Sequence, residues 1–168
     1  LRNSLHSVNI SVKGAQLLNW TRHLARNGTK WNQEKSVLWV VDDADWNRVA
    51  PVLFPIVGRL KDDRYFHNGD TFEIKQHGFA RDAEFECIEQ SENSVLFQLN
   101  SNQATLDAFP FSFTLQIRYT LYGGGLTVEQ TVTNTDHSST MPFSIGAHPG
   151  FHTPLETEKY SIQIDGLE

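Results

Sequence analysis

The chain has 168 residues, a formal net charge of −6 and one cysteine. This length is enough for one domain with a sizeable core, and the 39% hydrophobic fraction excludes a disordered chain. The acidic balance disfavours nucleic acid as a partner, because phosphate backbones require clustered lysine and arginine. No apolar run has the length of a membrane span, and a lone cysteine cannot form an internal disulfide. We therefore expect one soluble domain over residues 1–168, without a membrane partner, in the reducing cytoplasm.

Alternating apolar and polar residues predict strands along most of the chain. Short strands are predicted around Val8, Ile10 and Val12, around Phe72 and Ile74, around Val95, Phe97 and Leu99, and around Tyr160, Ile162 and Ile164. The clearest alternation covers residues 111–121 and leads into the glycine-rich turn signal at 122–125. A second alternating segment then ends near Asn134, which predicts an antiparallel hairpin.

Helical signals are few. Residues 102–109 predict one or two helical turns that end before Pro110, and residues 43–48 predict another short helix. Neither is long enough to serve as a crossover layer. Many strands separated by turns such as Asn68-Gly69 therefore predict an all-β antiparallel β-sandwich.

Two segments interrupt the strand pattern and end in basic side chains. Residues 50–59 form an apolar run with two prolines, and this run leads to Arg59. In residues 76–81, with the sequence Gln-His-Gly-Phe-Ala-Arg, a glycine follows His77 directly after a predicted strand. A sharp bend at this glycine would present His77 and Arg81.

A third irregular segment, residues 143–151, places His148 among small residues with Pro149 behind it. That setting suits a side chain pointing into a cleft. Trp46 precedes the apolar run and is a candidate either for stacking on a sugar or for the core. A metal site at His148 and His152, four positions apart, is rejected because Pro149 and Gly150 preclude a helix between them. We expect neither a metal nor a cofactor.

These segments resemble the aldose 1-epimerase (galactose mutarotase-like) family in order and spacing. The resemblance is carried by residues 14–17, 46–60, 76–81 and 146–151, and the His-Gly-Phe-Ala-Arg pattern is similar to that of a bacterial branch. It implies a large antiparallel supersandwich and a cofactor-free interconversion of the α and β anomers of a free hexose such as glucose or galactose.

The resemblance also implies roles for single residues. His148 matches the histidine that protonates the ring oxygen, and His77 matches a histidine that hydrogen-bonds the sugar near that oxygen. Arg59 matches a substrate-binding arginine, and Arg81 belongs to the branch pattern. In members of the family, the catalytic glutamate base and a sugar-binding aspartate lie in the later part of the domain, beyond the part that these 168 residues resemble. The chain is therefore expected to correspond to the N-terminal part of the family domain.

The chemistry explains these residue types, and it leaves alternatives open. Opening a cyclic hemiacetal requires an acid at the ring oxygen and a base at the C1 hydroxyl, and histidine exchanges protons near neutral pH. The forks of Arg59 and Arg81 suit sugar hydroxyls or a phosphate, so a hexose-6-phosphate 1-epimerase is an alternative. A non-catalytic carbohydrate-binding module is another. The structural alternatives to these functional roles are a surface ion pair for Arg59 and a buried structural histidine for His148. Unpaired sheet edges would favour a homodimer.

Overall fold

The computed structural model describes residues 1–26, 29–41 and 46–153 of the chain. In that part the strands are β1 His6–Ile10, β2 Leu17–Arg26, β3 Thr29–Ser36, β4 Val52–Leu53, β5 Arg64–His67, β6 Asp70–Glu73, β7 Glu86–Gln90, β8 Ser94–Asn100, β9 Phe113–Tyr122, β10 Gly125–Asn134 and β11 Gly146–Ala147. The helical elements are the 3₁₀ turns Lys61–Asp63 and Ala80–Asp82 and the helix α1 Gln103–Ala108.

The strands form antiparallel sheets. One sheet has the order β1-β2-β3, a second has the order β10-β9-β8-β7, and two small ladders pair β11 with β4 and β5 with β6. Every ladder between these strands is antiparallel. The predicted all-β antiparallel fold class is confirmed.

The two larger sheets contribute to one hydrophobic core. Val8 and Leu17 from the first sheet belong to the same buried cluster as Leu115 and Ile117 from the second. Full burial of such a side chain stabilises the folded state by about 1.5–3 kcal/mol. The buried hydroxyl of Tyr119 also donates to the carbonyl of Ala15 at 2.7 Å, which ties β9 to the turn that precedes β2.

The predicted hairpin is confirmed as β9 and β10, which pair from Asn134↔Phe113 to Gly125↔Tyr122. Every second residue from 113 to 121 is buried, as the alternation requires. Val95, Phe97 and Leu99 lie on β8 as predicted. The other short strands are confirmed in part, since Val12 and Ile74 lie just beyond β1 and β6. The strand predicted at 160–164 lies outside the described residues.

The predicted helix near residue 105 is confirmed as α1. Its first turn is closed by a capping box, in which the Asn102 side chain accepts from the Thr105 backbone and the Thr105 side chain accepts from the Asn102 backbone. Of the helix predicted over 43–48, the described residues 46–48 are not helical, and 43–45 lie outside the described residues. Across the described ranges, no helix has the length and apolar character needed to cross a membrane.

Two strands lack the alternating signal for identifiable reasons. Two of the inward positions of β2 are occupied by Thr21 and His23, which are buried polar residues, so apolar alternation does not mark the strand. All five residues of β7 are exposed, so this edge strand has no buried face to reveal. In both cases pairing with a neighbouring strand, rather than the local pattern, determines the conformation.

Candidate functional site

The short ladder between β4 and β11 brings two of the irregular segments together. Val52 and Leu53 pair with Ala147 and Gly146, and the His148 backbone N–H donates to the Pro51 carbonyl at 3.2 Å. Residues 51–55 are all buried, which explains why this run is continuously apolar rather than alternating. Paired in this way, β4 positions His148 at the end of β11.

The remaining irregular segment, residues 76–81, reaches the same place through Phe54. The ring of Phe54 is fully buried against Phe113 of β9, with ring centroids 5.0 Å apart. Its carbonyl accepts from the backbone N–H groups of Phe79 at 3.0 Å and Ala80 at 3.2 Å. The bend at 76–81 is therefore attached to the same buried segment that holds His148.

The predicted bend is present, and it needs the glycine. His77 has φ of +67° and Gly78 has φ of +71°, so both residues are left-handed. A Cβ at position 78 would lie 2.1 Å from the Phe54 carbonyl oxygen, a distance that no side chain can occupy. Gly78 thus permits the contact with Phe54, and the unusual backbone of His77 is held by its surroundings.

Hydrogen bonds to Gly58 determine how His77 presents its ring. The His77 backbone N–H donates to the Gly58 carbonyl at 2.8 Å, and the Gly58 N–H donates to His77 Nδ1 at 3.0 Å. With Nδ1 acting as an acceptor, the proton of the neutral imidazole resides on Nε2. Burial, and then the positive charges of Arg81 and His148, lower the pKa of His77. Near neutral pH, His77 is therefore a neutral ring that carries its proton on Nε2.

Three rings form a cluster at this point. The centroids of His77 and His148 are 6.3 Å apart, and the half-buried Trp46 meets His148 edge-on with its centroid at 5.2 Å. The two histidines singled out from the sequence are thus brought together, with Trp46 as one wall. His148 is exposed to solvent, which rules out the fully buried structural histidine considered above.

Arg59 follows Gly58, but its guanidinium is engaged elsewhere. Its Nε and Nη2 both donate to the Asp63 carboxylate at 2.7 Å, and 64% of its side chain is exposed. This bidentate pair raises the pKa of Arg59 and lowers the pKa of Asp63. In this structure Arg59 therefore forms a surface ion pair, which was the structural alternative considered for it. Asp63 was not singled out from the sequence, although its spacing of four from Arg59 was an available signal.

Arg81 follows four residues after His77 and lies next to a second arginine. Its Nη2 donates to the Gln76 carbonyl at 2.6 Å. The Arg48 Nη2 pairs with Asp82 at 2.9 Å, and its Nη1 reaches the Arg81 carbonyl at 3.5 Å. Burial, and then the charge of Arg48, lower the pKa of Arg81, which still remains a cation at neutral pH.

Arg48, Arg81 and Asp82 line a pocket of about 250 Å³. The rest of its lining consists of Lys13 and the polar side chains of Ser11, Gln16 and Asn47. Lys13 reaches the pocket because Gly14, with φ of +70°, passes close to the Arg81 backbone. A Cβ at Gly14 would lie 2.6 Å from the Arg81 carbonyl oxygen. Lys13 and Arg48 were not singled out as site residues from the sequence, because only the fold brings residues 13, 48 and 81 together.

Comparison with protein families gives a match over the whole chain. The aldose 1-epimerase family model matches residues 1–168. The protein LacX (plasmid) of Lactococcus lactis subsp. lactis is 39% identical over 177 residues, covering 100% of this chain and 56% of that protein. The chain therefore spans about half the length of the curated relatives it matches.

Solved structures give the same fold. A galactose mutarotase related enzyme from Lactobacillus acidophilus has a TM-score of 0.84 and 36% identity, covering 93% of this chain and 49% of that one. A galactose mutarotase-like protein from Lactobacillus casei ATCC 334 has a TM-score of 0.82 and 37% identity, covering 94% and 51% respectively. The antiparallel sheets described above are thus those of the galactose mutarotase-like fold.

Proposed function

Because the chain belongs to the aldose 1-epimerase family, we propose that the complete protein interconverts the α and β anomers of a hexose by acid–base opening of the sugar ring. The observation that supports this proposal most is the pairing of His77 and His148, whose rings lie 6.3 Å apart although they come from segments distant in sequence. Two imidazoles on one side of a sugar can supply both a proton and a hydrogen bond to the ring oxygen region.

We assign different tasks to the two histidines. A proton on Nδ1 of His77 would point at the Gly58 N–H, which already occupies that position at 3.0 Å. His77 is therefore unsuited to cycle between charged and neutral forms, and it acts as a fixed donor through Nε2. His148 carries no such contact among the described residues, is exposed, and is the group that gives its proton to the ring oxygen.

The remaining steps follow from the chemistry of a hemiacetal. A carboxylate removes the proton from the C1 hydroxyl while His148 protonates the ring oxygen, and the C1–O bond to the ring opens. Rotation about C1–C2 then presents the other face of the aldehyde, and closure reverses both proton transfers. We expect the carboxylate to come from the part of the relatives' length that this chain does not span.

Arg59 binds hydroxyl groups of the sugar in this scheme. Its contact with Asp63 uses Nε and Nη2, which leaves other N–H donors of the guanidinium for a ligand. Because Asp63 holds the fork in one orientation, less side-chain entropy is lost when a sugar binds. Trp46 forms an apolar wall against His148.

The test is the mutarotation of freshly dissolved α-glucose or α-galactose by the complete protein, followed by polarimetry. We expect acceleration over buffer, and a His148→Asn variant should lose about 10²- to 10⁴-fold of it because the acid is absent. His152→Asn is the matched control, since His152 is an exposed histidine four positions away, and it should retain the rate. A complete protein with the rate of buffer alone would overturn the proposal, and sugar binding by calorimetry without acceleration would identify a carbohydrate-binding module instead.

A further inference from the structure

The indole of Trp46 contacts two parts of the segment that carries the proposed acid. It meets the His148 imidazole edge-on, with ring centroids 5.2 Å apart and an angle of 67° between the ring planes. Its six-membered ring also lies directly beside Gly150, two residues further along the chain. Edge-to-face packing is a favoured arrangement of two aromatic rings. The contact with Trp46 therefore favours one orientation of the His148 imidazole.

The His148 ring has few other constraints. Its backbone N–H donates to the Pro51 carbonyl at 3.2 Å, which fixes the main chain but not the ring. The side chain is exposed and makes no hydrogen bond to another residue in the described ranges. Its second ring contact is with His77, at a centroid distance of 6.3 Å. Contacts between rings, rather than a hydrogen bond, thus orient the imidazole within this part of the chain.

The backbone of Gly150 is held from both sides. Its N–H donates to the Val49 carbonyl at 2.8 Å, and its carbonyl accepts from the Trp39 N–H at 2.9 Å. The Trp39 indole N–H in turn donates to the Arg48 carbonyl at 3.2 Å. Gly150 is therefore bonded to the same stretch of chain that carries Trp46, and it cannot move away from the indole without breaking these hydrogen bonds.

The missing side chain at position 150 provides the space that the indole occupies. A Cβ at Gly150 would lie 2.9 Å from Cζ3 of Trp46 and 3.2 Å from the Cβ of Trp39. The backbone of Gly150 is not left-handed, so a special φ does not explain this glycine. The Cβ of Trp39 belongs to a residue whose backbone is bonded to Gly150. The outer end of the Trp46 ring is consequently the group that an added methyl would displace.

We propose that Trp46 and Gly150 are positioning residues for His148: the indole orients the imidazole, and the absence of a side chain at position 150 lets the indole reach it. The role of His148 as the acid rests on the epimerase function proposed above, whereas the dependence of Trp46 on Gly150 rests on the contacts alone. A general acid must point at the atom that it protonates, and a misplacement of about 1 Å can cost about 10²-fold in rate.

The kinetic test measures kcat and KM for the mutarotation of α-glucose by the complete protein. Trp46→Leu removes the ring contact and Gly150→Ala displaces it, so each should lower kcat by about 10- to 100-fold. KM should change by less than about twofold, because the orientation of the acid matters in the transition state rather than in sugar binding. A kcat that Trp46→Leu leaves unchanged, with or without a rise in KM, would overturn the positioning role.

The effects of the two positions should depend on each other. Phenylalanine lacks the outer atoms of the indole, so in a Trp46→Phe background a Cβ at position 150 no longer meets Cζ3. Gly150→Ala should cost less than about twofold in kcat in that background, because the two changes act on one contact. The same loss of kcat with and without Trp46→Phe would overturn the role of Gly150.

Gly124→Ala is the matched control, since a Cβ at position 124 meets no atom within 4 Å, and it should retain kcat. Circular dichroism during thermal unfolding shows whether each variant is folded. If Gly150→Ala does not fold by itself, the same change in the Trp46→Phe background decides. Recovery of the fold there would support the contact between Gly150 and Trp46, and failure to recover would overturn it.

Nuclear magnetic resonance separates this inference from the proposed function. In the complete protein with ¹³C-labelled histidine, the ring signals of His148 are identified by their loss in His148→Asn and are shifted by the ring current of Trp46. Trp46→Leu and Gly150→Ala should both move these signals and leave those of the exposed His137 in place. Unmoved His148 signals would overturn the positioning role alone. Moved signals in a protein that does not accelerate mutarotation would overturn the epimerase proposal and support the arrangement of the three residues.

Discussion

The left-handed backbone of His77 is energetically unfavourable, whereas Gly78 adopts it readily. Contacts of the neighbouring residues hold His77 in this conformation. The backbone N–H groups of the next two residues, Phe79 and Ala80, both donate hydrogen bonds to the Phe54 carbonyl. They pull the bend onto the buried β4 segment and leave the His77 ring against Gly58. A non-glycine residue in this region of the backbone is expected to persist only where surrounding contacts over-determine it.

Gly78→Ala should therefore destabilise the protein by more than about 1–2 kcal/mol, since the added Cβ meets both an unfavourable φ and the Phe54 carbonyl oxygen at 2.1 Å. Chemical denaturation of the complete protein measures this change. Gly123→Ala is the control, because a Cβ at position 123 meets no atom within 4 Å. Similar free energies of unfolding for the two variants would show that the bend tolerates a side chain.

At the scale of elements, β9 contributes more residues to the buried core than any other described strand. It pairs with β8 on one side and β10 on the other, and its inward residues are buried along its length. Tyr119 extends this role beyond packing, because its hydroxyl donates to the Ala15 carbonyl in the turn that precedes β2. Burial raises the pKa of Tyr119, so the hydroxyl stays protonated and able to donate.

Tyr119→Phe should cost about 1–3 kcal/mol of unfolding free energy, because it leaves the Ala15 carbonyl without its donor in the core. Tyr122→Phe, at the exposed end of the same strand, should change the unfolding free energy little. Urea denaturation monitored by circular dichroism distinguishes the two. An equal effect of both changes would indicate that the hydrogen bond from Tyr119 to Ala15 contributes nothing measurable.

For the whole molecule, two imidazoles couple folding to pH. His6 is buried and accepts from the Trp20 indole at 3.1 Å, and burial followed by the charges of Arg22 and His23 lowers its pKa. The pKa of His77 is lowered as well. The unfolded values are about 6.5, so the unfolded chain binds more protons than the folded chain once the pH falls below about 6.5.

The free energy of unfolding should consequently be larger at pH 7.5 than at pH 5.5, and should fall until the pH passes the folded-state pKa values of the two histidines. Denaturation curves across this range measure the slope. Replacing both His6 and His77 by Asn should flatten it, whereas replacement of the exposed His137 should not. A stability that is equal or greater at pH 5.5 would contradict this expectation.

Two features, strand β2 and the Arg59–Asp63 ion pair, were not predicted from the sequence, and the fold shows the physical reason for each. β2 buries Thr21 and His23, so its inward face is not marked by apolar residues. The pairing of Arg59 with Asp63 occurs across the 3₁₀ turn at Lys61–Asp63, where Asp62 and Asp63 both have positive φ. No propensity of lysine or aspartate predicts two such residues in succession.

The sequence by itself determined the elements whose signals are local. Period-two alternation with a glycine turn predicted the contacts of the β9–β10 hairpin, and residues 102–109 before Pro110 predicted those of the short helix α1. These contacts join residues close in sequence, so their patterns can be recognised without knowing the fold. The family resemblance located the candidate residues His77 and His148 by the same kind of local motif.

Only the tertiary structure decided how those candidates are arranged. The distance between His77 and His148 depends on the β4–β11 ladder and on the Phe54 carbonyl, and the basic pocket depends on Gly14 lying against Arg81. Each of these is a contact between segments far apart in the chain, and its geometry follows from packing of the buried core. Local sequence patterns carry no information about such distances, because packing between segments far apart in the chain sets them.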